Sequence, residues 1–203
     1  MSLLGVTGLP CSGKSRVAEL IASGKIDGRK SLLLKADDIG HQVLLRPDVA
    51  EKLRGRFGDE AGDTGSPAAM RQAIAARVFA NPGDLEWLEQ LIHPLVAEET
   101  ARQSAAEAGS RVVAEAALMF AAGMEKRCDT ILVVEADFNV RLARAAARGW
   151  DRNELERREK RQLPLFAAAW NGLDKDKLVR VDNNGSIEEL RANLRRVFAR
   201  IQA

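Results

Sequence analysis

The chain has only two cysteines, Cys11 and Cys128, far apart in sequence and without metal-ligand spacing. That excludes a cysteine-built metal site, and with no secretory apolar segment at the start it points to a reducing, cytoplasmic setting. No apolar run approaches the roughly 20 residues that a membrane-spanning helix needs, so no membrane partner is expected. An excess of one charge is also missing: the net charge is +2, too little for a general nucleic-acid or lipid binder. There is no internal repeat, linker or low-complexity tract. What remains is an ordinary globular composition, 203 residues of which 46% are apolar and 30% charged, enough for one sizeable core plus a subsidiary lobe.

Short apolar runs at Leu3 to Val6, Arg111 to Ala114 and Ile131 to Val134 read as strands buried on both faces, as in parallel sheets. Leu32 to Leu34 and Leu178 to Val181 are weaker candidates of the same kind. Helical stretches alternate with them, which predicts an α/β fold with crossover helices. The last helix is the clearest. Ser186 and Glu189 have capping-box spacing, and Ile187, Leu190, Leu194, Val197 and Ile201 then share one face. Residues from about 39 to 109 show helical patterns but no convincing strand, which predicts a helical insertion. Residues from about 141 to 177 are Arg-rich and helical, with breaks expected at Gly149 and Pro164. The core is then left with about 1–38, 110–140 and 178–203. Arg141, Arg144, Arg148, Arg152, Arg157, Arg158 and Arg161 gather in the Arg-rich segment. Such a cluster suits a compact anion such as a polyphosphate, or is simply a solvated helix face.

Gly8-Leu9-Pro10-Cys11-Ser12-Gly13-Lys14-Ser15 satisfies the GxxxxGK[ST] pattern between a strand and a helix. Gly8 and Gly13 let successive backbone N–H groups turn toward a phosphate, and the following helix points its positive end at the same anion. Lys14 is expected to reach the β- and γ-phosphates of ATP, and the Ser15 hydroxyl to ligate Mg²⁺. Pro10 contributes no N–H to the cradle. Cys11 is either a redox-sensitive thiol or a small filler residue. Asp37, just after the Leu32 to Leu34 run, lies where a strand end meets the ligand crevice of open α/β sheets. There it serves as the base for an acceptor hydroxyl or as a helix N-cap.

Phe79-Ala80-Asn81-Pro82, Trp87-Leu88 and Leu91-Ile92-His93-Pro94-Leu95-Val96 resemble the central signature of the dephospho-coenzyme A kinases. Lys35-Ala36-Asp37, Arg71, Arg141-Leu142-Ala143-Arg144 with Arg148, Gln162 and Asn183-Asn184-Gly185-Ser186 match further segments of that family in order. The resemblance implies ATP-dependent phosphorylation of the ribose 3′-hydroxyl of dephospho-coenzyme A. It also implies a P-loop, nucleotide-kinase-like three-layer sandwich: a five-stranded parallel sheet, a helical coenzyme A lobe and an Arg-rich lid. It makes Asp37 the catalytic base, with Lys14 and with Arg144 brought from the lid. The ATP site takes in the loop from Gly8 through Pro10, Cys11, Ser12, Gly13, Lys14 and Ser15 to Arg16. Arg144 and Arg148 approach it from the lid, and Asn184 and Gly185 lie near the adenine. Arg71 and His93 join Asp37 in facing the acceptor, although His93 before Pro94 also suits the end of one helix and the start of the next. Neither nucleic acid nor membrane is an expected partner, and a monomer or weak homo-oligomer is.

The pattern departs from the family at Lys35, which replaces an Asp, at Ala117 and Ala121, which replace a Pro and a Glu, and at Arg16. The segment Leu163 to Lys177 is longer than usual. Glu115 precedes the altered stretch and either assists Mg²⁺ through water or is a structural carboxylate. Two other readings follow from these changes: a P-loop kinase of a different nucleotide-like acceptor, and an ATP-binding accessory protein without turnover.

Overall fold

The computed structural model describes residues 2–61, 66–107, 109–172 and 174–201. All five expected strands form: β1 (Ser2–Gly8), β2 (Leu32–Lys35), β3 (Arg111–Glu115), β4 (Thr130–Glu135) and β5 (Leu178–Asp182). They make one parallel sheet in the order β2-β3-β1-β4-β5. The eight α-helices among the described residues are α1 (Lys14–Ala22), α2 (Ala36–Leu44), α3 (Pro47–Phe57), α4 (Pro67–Ala80), α5 (Pro82–Ala106), α6 (Phe138–Ala146), α7 (Arg152–Gly172) and α8 (Ile187–Ile201). None of them is long and apolar enough to cross a membrane.

The chain divides into two compact units, Met1–Ala36 with Thr100–Ala203, and Asp37–Glu99. In the first, β1 lies between β3 and β4, and every residue of β3 is buried. Leu4, Val6, Val113, Leu132, Val134 and Val181 meet α1 and α8 through Val17, Ile21, Leu190 and Leu194. Toward the other face Gly5 leaves room for neighbours: a Cβ there would come within 2.9 Å of Cys128 Sγ. Burial pushes the Cys128 thiol up to about 12, so it stays protonated and inert.

At the start of α8 the Ser186 N–H donates to Glu189 Oε2 at 2.6 Å and the Glu189 N–H donates to Ser186 Oγ at 3.2 Å, as the spacing predicts. The hydrogen bond from the Ser186 N–H holds the Glu189 carboxyl below its ordinary value. The apolar face of α8 ends differently from the periodic pattern. Phe198 is buried and Ile201 is exposed, because the Phe198 ring packs under the Arg111 guanidinium at 5.1 Å.

The second unit is helical among its described residues, as the absence of strand patterns predicts. Val49, Leu53, Phe57, Met70, Ile74 and Val78 are buried. Trp87 stands edge-on to Phe57, with ring centroids 5.4 Å apart.

The break expected at Pro164 does not form, and the alternative of a helix boundary at His93-Pro94 is not the one adopted. Pro94 lies inside α5 and Pro164 inside α7, and neither ends its helix. Each ring removes one backbone donor, a loss that tertiary packing of a long helix can outweigh. Gly149, with a φ of 75°, does separate α6 from α7.

Leu194 is fully buried between α8 and the sheet. Leu194→Ala should lower stability by about 2–5 kcal/mol. A urea melt would show a lower midpoint with an unchanged slope, and an unmoved midpoint would remove α8 from the cooperative core.

Candidate active site

The loop between β1 and α1 turns in a very small space. A Cβ on Gly8 would collide with the Val134 carbonyl oxygen of β4 and sit 2.5 Å from Ser12 Oγ. Cys11 and Gly13 both adopt left-handed backbone, with φ of 61° and 96°. Cys11 tolerates this conformation while its side chain is packed with Ala145 and Leu155, beside Phe138, Leu142 and Trp150. Of its two sequence readings, the filler residue is the one its surroundings fit. Pro10 is buried as well.

Gly13 is the N-cap of α1, which has no side-chain cap and no acidic residue in its first turn. The positive end of that helix is left for an anion. Lys14 and Ser15 open the helix and converge on one carboxylate. Ser15 Oγ donates to Glu115 Oε1 at 3.0 Å, and Lys14 Nζ lies 4.0 Å from the same atom. Glu115 ends β3 and is 7% exposed. A hydroxyl beside a carboxylate is a hard oxygen pair of the kind Mg²⁺ takes when nucleotide phosphates and waters complete its shell.

The cradle is braced from behind. Asn183, immediately after β5, is buried, and its Nδ2 donates to the Ser12 carbonyl at 2.7 Å. Arg144 Nη1 donates to the same carbonyl at 3.1 Å, and Nη2 donates to the Asn183 carbonyl at 2.8 Å. Asn183 in turn donates its N–H to the Glu135 carbonyl at 2.8 Å. Next to it Asn184 accepts from the Asp137 N–H at 2.6 Å, and Gly185 is exposed. Any Cβ on Gly185 would collide with the Glu189 carboxylate.

Arg144 belongs to α6, ahead of the Gly149 break, and three of its contacts go to backbone carbonyls. Arg141, also on α6, is buried and forms a two-pronged ion pair with Glu159 of α7 at 2.9 and 3.0 Å. Arg148 is exposed, 5.9 Å from the Trp150 ring centroid, and Arg16 is exposed on α1.

The chain has strong relatives. The family model described as Dephospho-CoA kinase matches residues 2–189. A dephospho-CoA kinase from Corynebacterium glutamicum is 35% identical over 99% of this chain and 100% of its own. One from Chlorobaculum tepidum is 34% identical, covering 97% and 93%. The solved structure of TT1252 from Thermus thermophilus superposes with a TM-score of 0.75 at 29% identity, covering 100% of this chain and 98% of that one. The chain belongs to the dephospho-CoA kinase family. It is therefore an ATP-dependent kinase that transfers phosphate to a hydroxyl.

The three residues expected to face a dephospho-CoA kinase's acceptor all lie in the second unit. Asp37 is exposed in the first turn of α2, one residue inside the helix rather than at its cap. Arg71 is half-buried on α4, and His93 is half-buried in mid-α5, so it does not end a helix. The departure at Lys35 has a local partner: its Nζ meets Glu19 of α1 at 3.1 Å. The altered 117–121 stretch seats Phe120 edge-on against Phe166 of α7, with centroids 5.1 Å apart. Asn183 was missing from the expected site set. Its signal was a buried-strand end closing on an amide.

Gly8→Ala should abolish ADP binding in calorimetry, because the added methyl meets backbone that cannot move aside. Wild-type affinity in that variant would show that the loop relaxes freely.

Proposed function

We propose that the chain transfers the γ-phosphoryl group of ATP to the ribose 3′-hydroxyl of dephospho-CoA, giving CoA and ADP. The observation that carries this reading is the convergence of Lys14 and Ser15 on Glu115 at the phosphate loop, in a chain of this family.

The loop N–H groups and the α1 terminus hold the phosphates, and Lys14 neutralises charge on the β- and γ-groups. Ser15 and Glu115 are the residues that would hold Mg²⁺. The ion supplies charge neutralisation on the phosphate oxygens. Asp37 orients the 3′-hydroxyl and takes its proton as the new O–P bond forms and the bond to ADP breaks. A carboxylate suffices as the base when deprotonation is late in a loose transition state. Arg144 has five N–H donors, and those not spent on the loop carbonyls serve the transferred phosphoryl group, with Arg148 beside it. Asn184 and Gly185 border the adenine of ATP, and Arg71 and His93 contact the acceptor. The enzyme works in the cytoplasm as a monomer or weak homo-oligomer and needs neither nucleic acid nor membrane.

The deciding assay is ADP release from Mg·ATP with dephospho-CoA, beside AMP and a no-acceptor control, with the product weighed by mass spectrometry. Release only with dephospho-CoA is expected. Transfer to AMP instead would mean a different acceptor, and no turnover at all would leave a nucleotide-binding accessory protein. Asp37→Asn should cut kcat by about 10²–10⁴-fold while sparing the KM for ATP. An unchanged kcat would remove Asp37 as the base. Glu115→Gln should raise the Mg²⁺ concentration needed for half-maximal rate, and an unshifted magnesium curve would make Glu115 purely structural.

A further inference from the structure

Charges of alternating sign line up along α1 where it crosses the ends of β3 and β2. Lys14 Nζ and Ser15 Oγ lie 4.0 and 3.0 Å from Glu115 Oε1 of β3. One turn beyond Ser15 on the same helix face, Glu19 Oε1 meets the Lys35 ammonium of β2 at 3.1 Å. Lys35 and Glu115 close neighbouring strands as register partners. Leu33 and Val113, two positions earlier, join Val17 and Ile21 of α1 in one core cluster. Residues two apart on a strand share a face, so Lys35 and Glu115 both continue toward α1.

Lys35 is one of the positions where this chain departs from its family pattern, an ammonium standing in place of a carboxylate. The change sets a flexible four-carbon stem with a compact positive charge next to the carboxylate that meets Ser15. Neighbouring strands are about 4.8 Å apart, well within the reach of that stem. Lys14 already stands beside Glu115. A second ammonium on the same carboxylate would compete with a divalent cation for its oxygens and repel the cation's charge. In the structure the Lys35 side chain runs along α1 to Glu19 instead. The pair is partly exposed, at 34% and 46%, and such pairs add little to stability. Its consequence lies in where it leaves the ammonium.

We propose that Glu19 is a positioning residue for the metal: it holds the Lys35 ammonium off Glu115 and so keeps that carboxylate available to Mg²⁺. The assignment rests on Ser15 and Glu115 being the residues that hold the ion. Glu19 itself touches neither phosphate nor metal in this account; it acts through Lys35. Without Glu19 the ammonium turns to the next carboxylate within its reach, which is its register partner Glu115. The lysine at position 35 is then tolerated beside a metal site because α1 carries a carboxylate one turn past Ser15 to receive it.

The experiment is a double-mutant cycle of Glu19→Gln and Lys35→Met, both at partly exposed positions. ADP binding is followed by calorimetry over a series of Mg²⁺ concentrations, and the half-saturating Mg²⁺ concentration is read for each protein. Glu19→Gln should raise it by about threefold to fivefold, the worth of one partly exposed ion pair, with ADP binding in EDTA unchanged. Lys35→Met alone should leave it at the wild-type value, and the double variant should return to that value. An unshifted Glu19→Gln overturns the proposal. So does a double variant that stays shifted, because Glu19 would then act without Lys35. Additive behaviour, in which Lys35→Met alone lowers the requirement as much as Glu19→Gln raises it, overturns it too, since only the summed field would matter. Glu115→Gln is the control that separates the claims. If it leaves the Mg²⁺ series unmoved, the metal reading fails and this proposal with it. If it moves the series and Glu19→Gln does not, only the role of Glu19 fails.

Discussion

The carbonyl oxygen of Ser12 is the fixed point of the phosphate site. It accepts from the Asn183 amide at 2.7 Å and from the Arg144 guanidinium at 3.1 Å. The Ser12–Gly13 peptide is planar, so holding its oxygen on one side aims the Gly13 N–H to the other. Asn183 comes from the end of β5, Arg144 from α6, and Gly13 from the start of α1. One bond pair therefore ties three elements to the orientation of a cradle donor. Such bracing costs nothing at the moment of reaction, which is what makes preorganised donors effective. Freeing a buried carbonyl of its partners costs about 1–3 kcal/mol, enough to loosen the loop without unfolding the sheet.

The strand order makes this convergence possible. With β1 between β3 and β4, a residue at or beside each C-terminal strand end reaches the loop. Glu115 closes β3 and meets Ser15. Val134 near the end of β4 presses on Gly8, which is why that position has no side chain. Asn183 follows β5 and closes on Ser12. The end of β4 also borders an apolar hollow lined by Leu163, Phe166 and Ala167 of α7. Phosphate chemistry and the cavity beside it are thus products of one sheet edge.

Much of this was legible in the sequence because the signals were local. The strands are short apolar runs buried on both faces, the loop is a contiguous pattern, and the α8 capping box spans four residues. Contacts between distant residues were not legible. Glu115 stands 100 positions from Ser15, and nothing in spacing decides between a metal-assisting and a structural carboxylate. Asn183 is 171 positions from Ser12. Arg144 sits on α6 against the carbonyls of Ser12 and Asn183, 132 and 39 positions away, a placement set by how α6 packs. Pro94 and Pro164 were weighed as breaks because local propensity says so, and both helices continue through them. Lys35 stands where the family has a carboxylate, and its ammonium pairs with Glu19, a contact 16 positions away that no local pattern announces.

The most direct measurement is the affinity of Asn183→Ala for ADP and for adenosine, by calorimetry beside the wild type. If Asn183 acts by orienting the phosphate cradle, ADP weakens by about tenfold or more while adenosine is held as before. Equal losses for both ligands would make Asn183 a support for the base, and undiminished ADP binding would show that the loop holds its shape without the clamp.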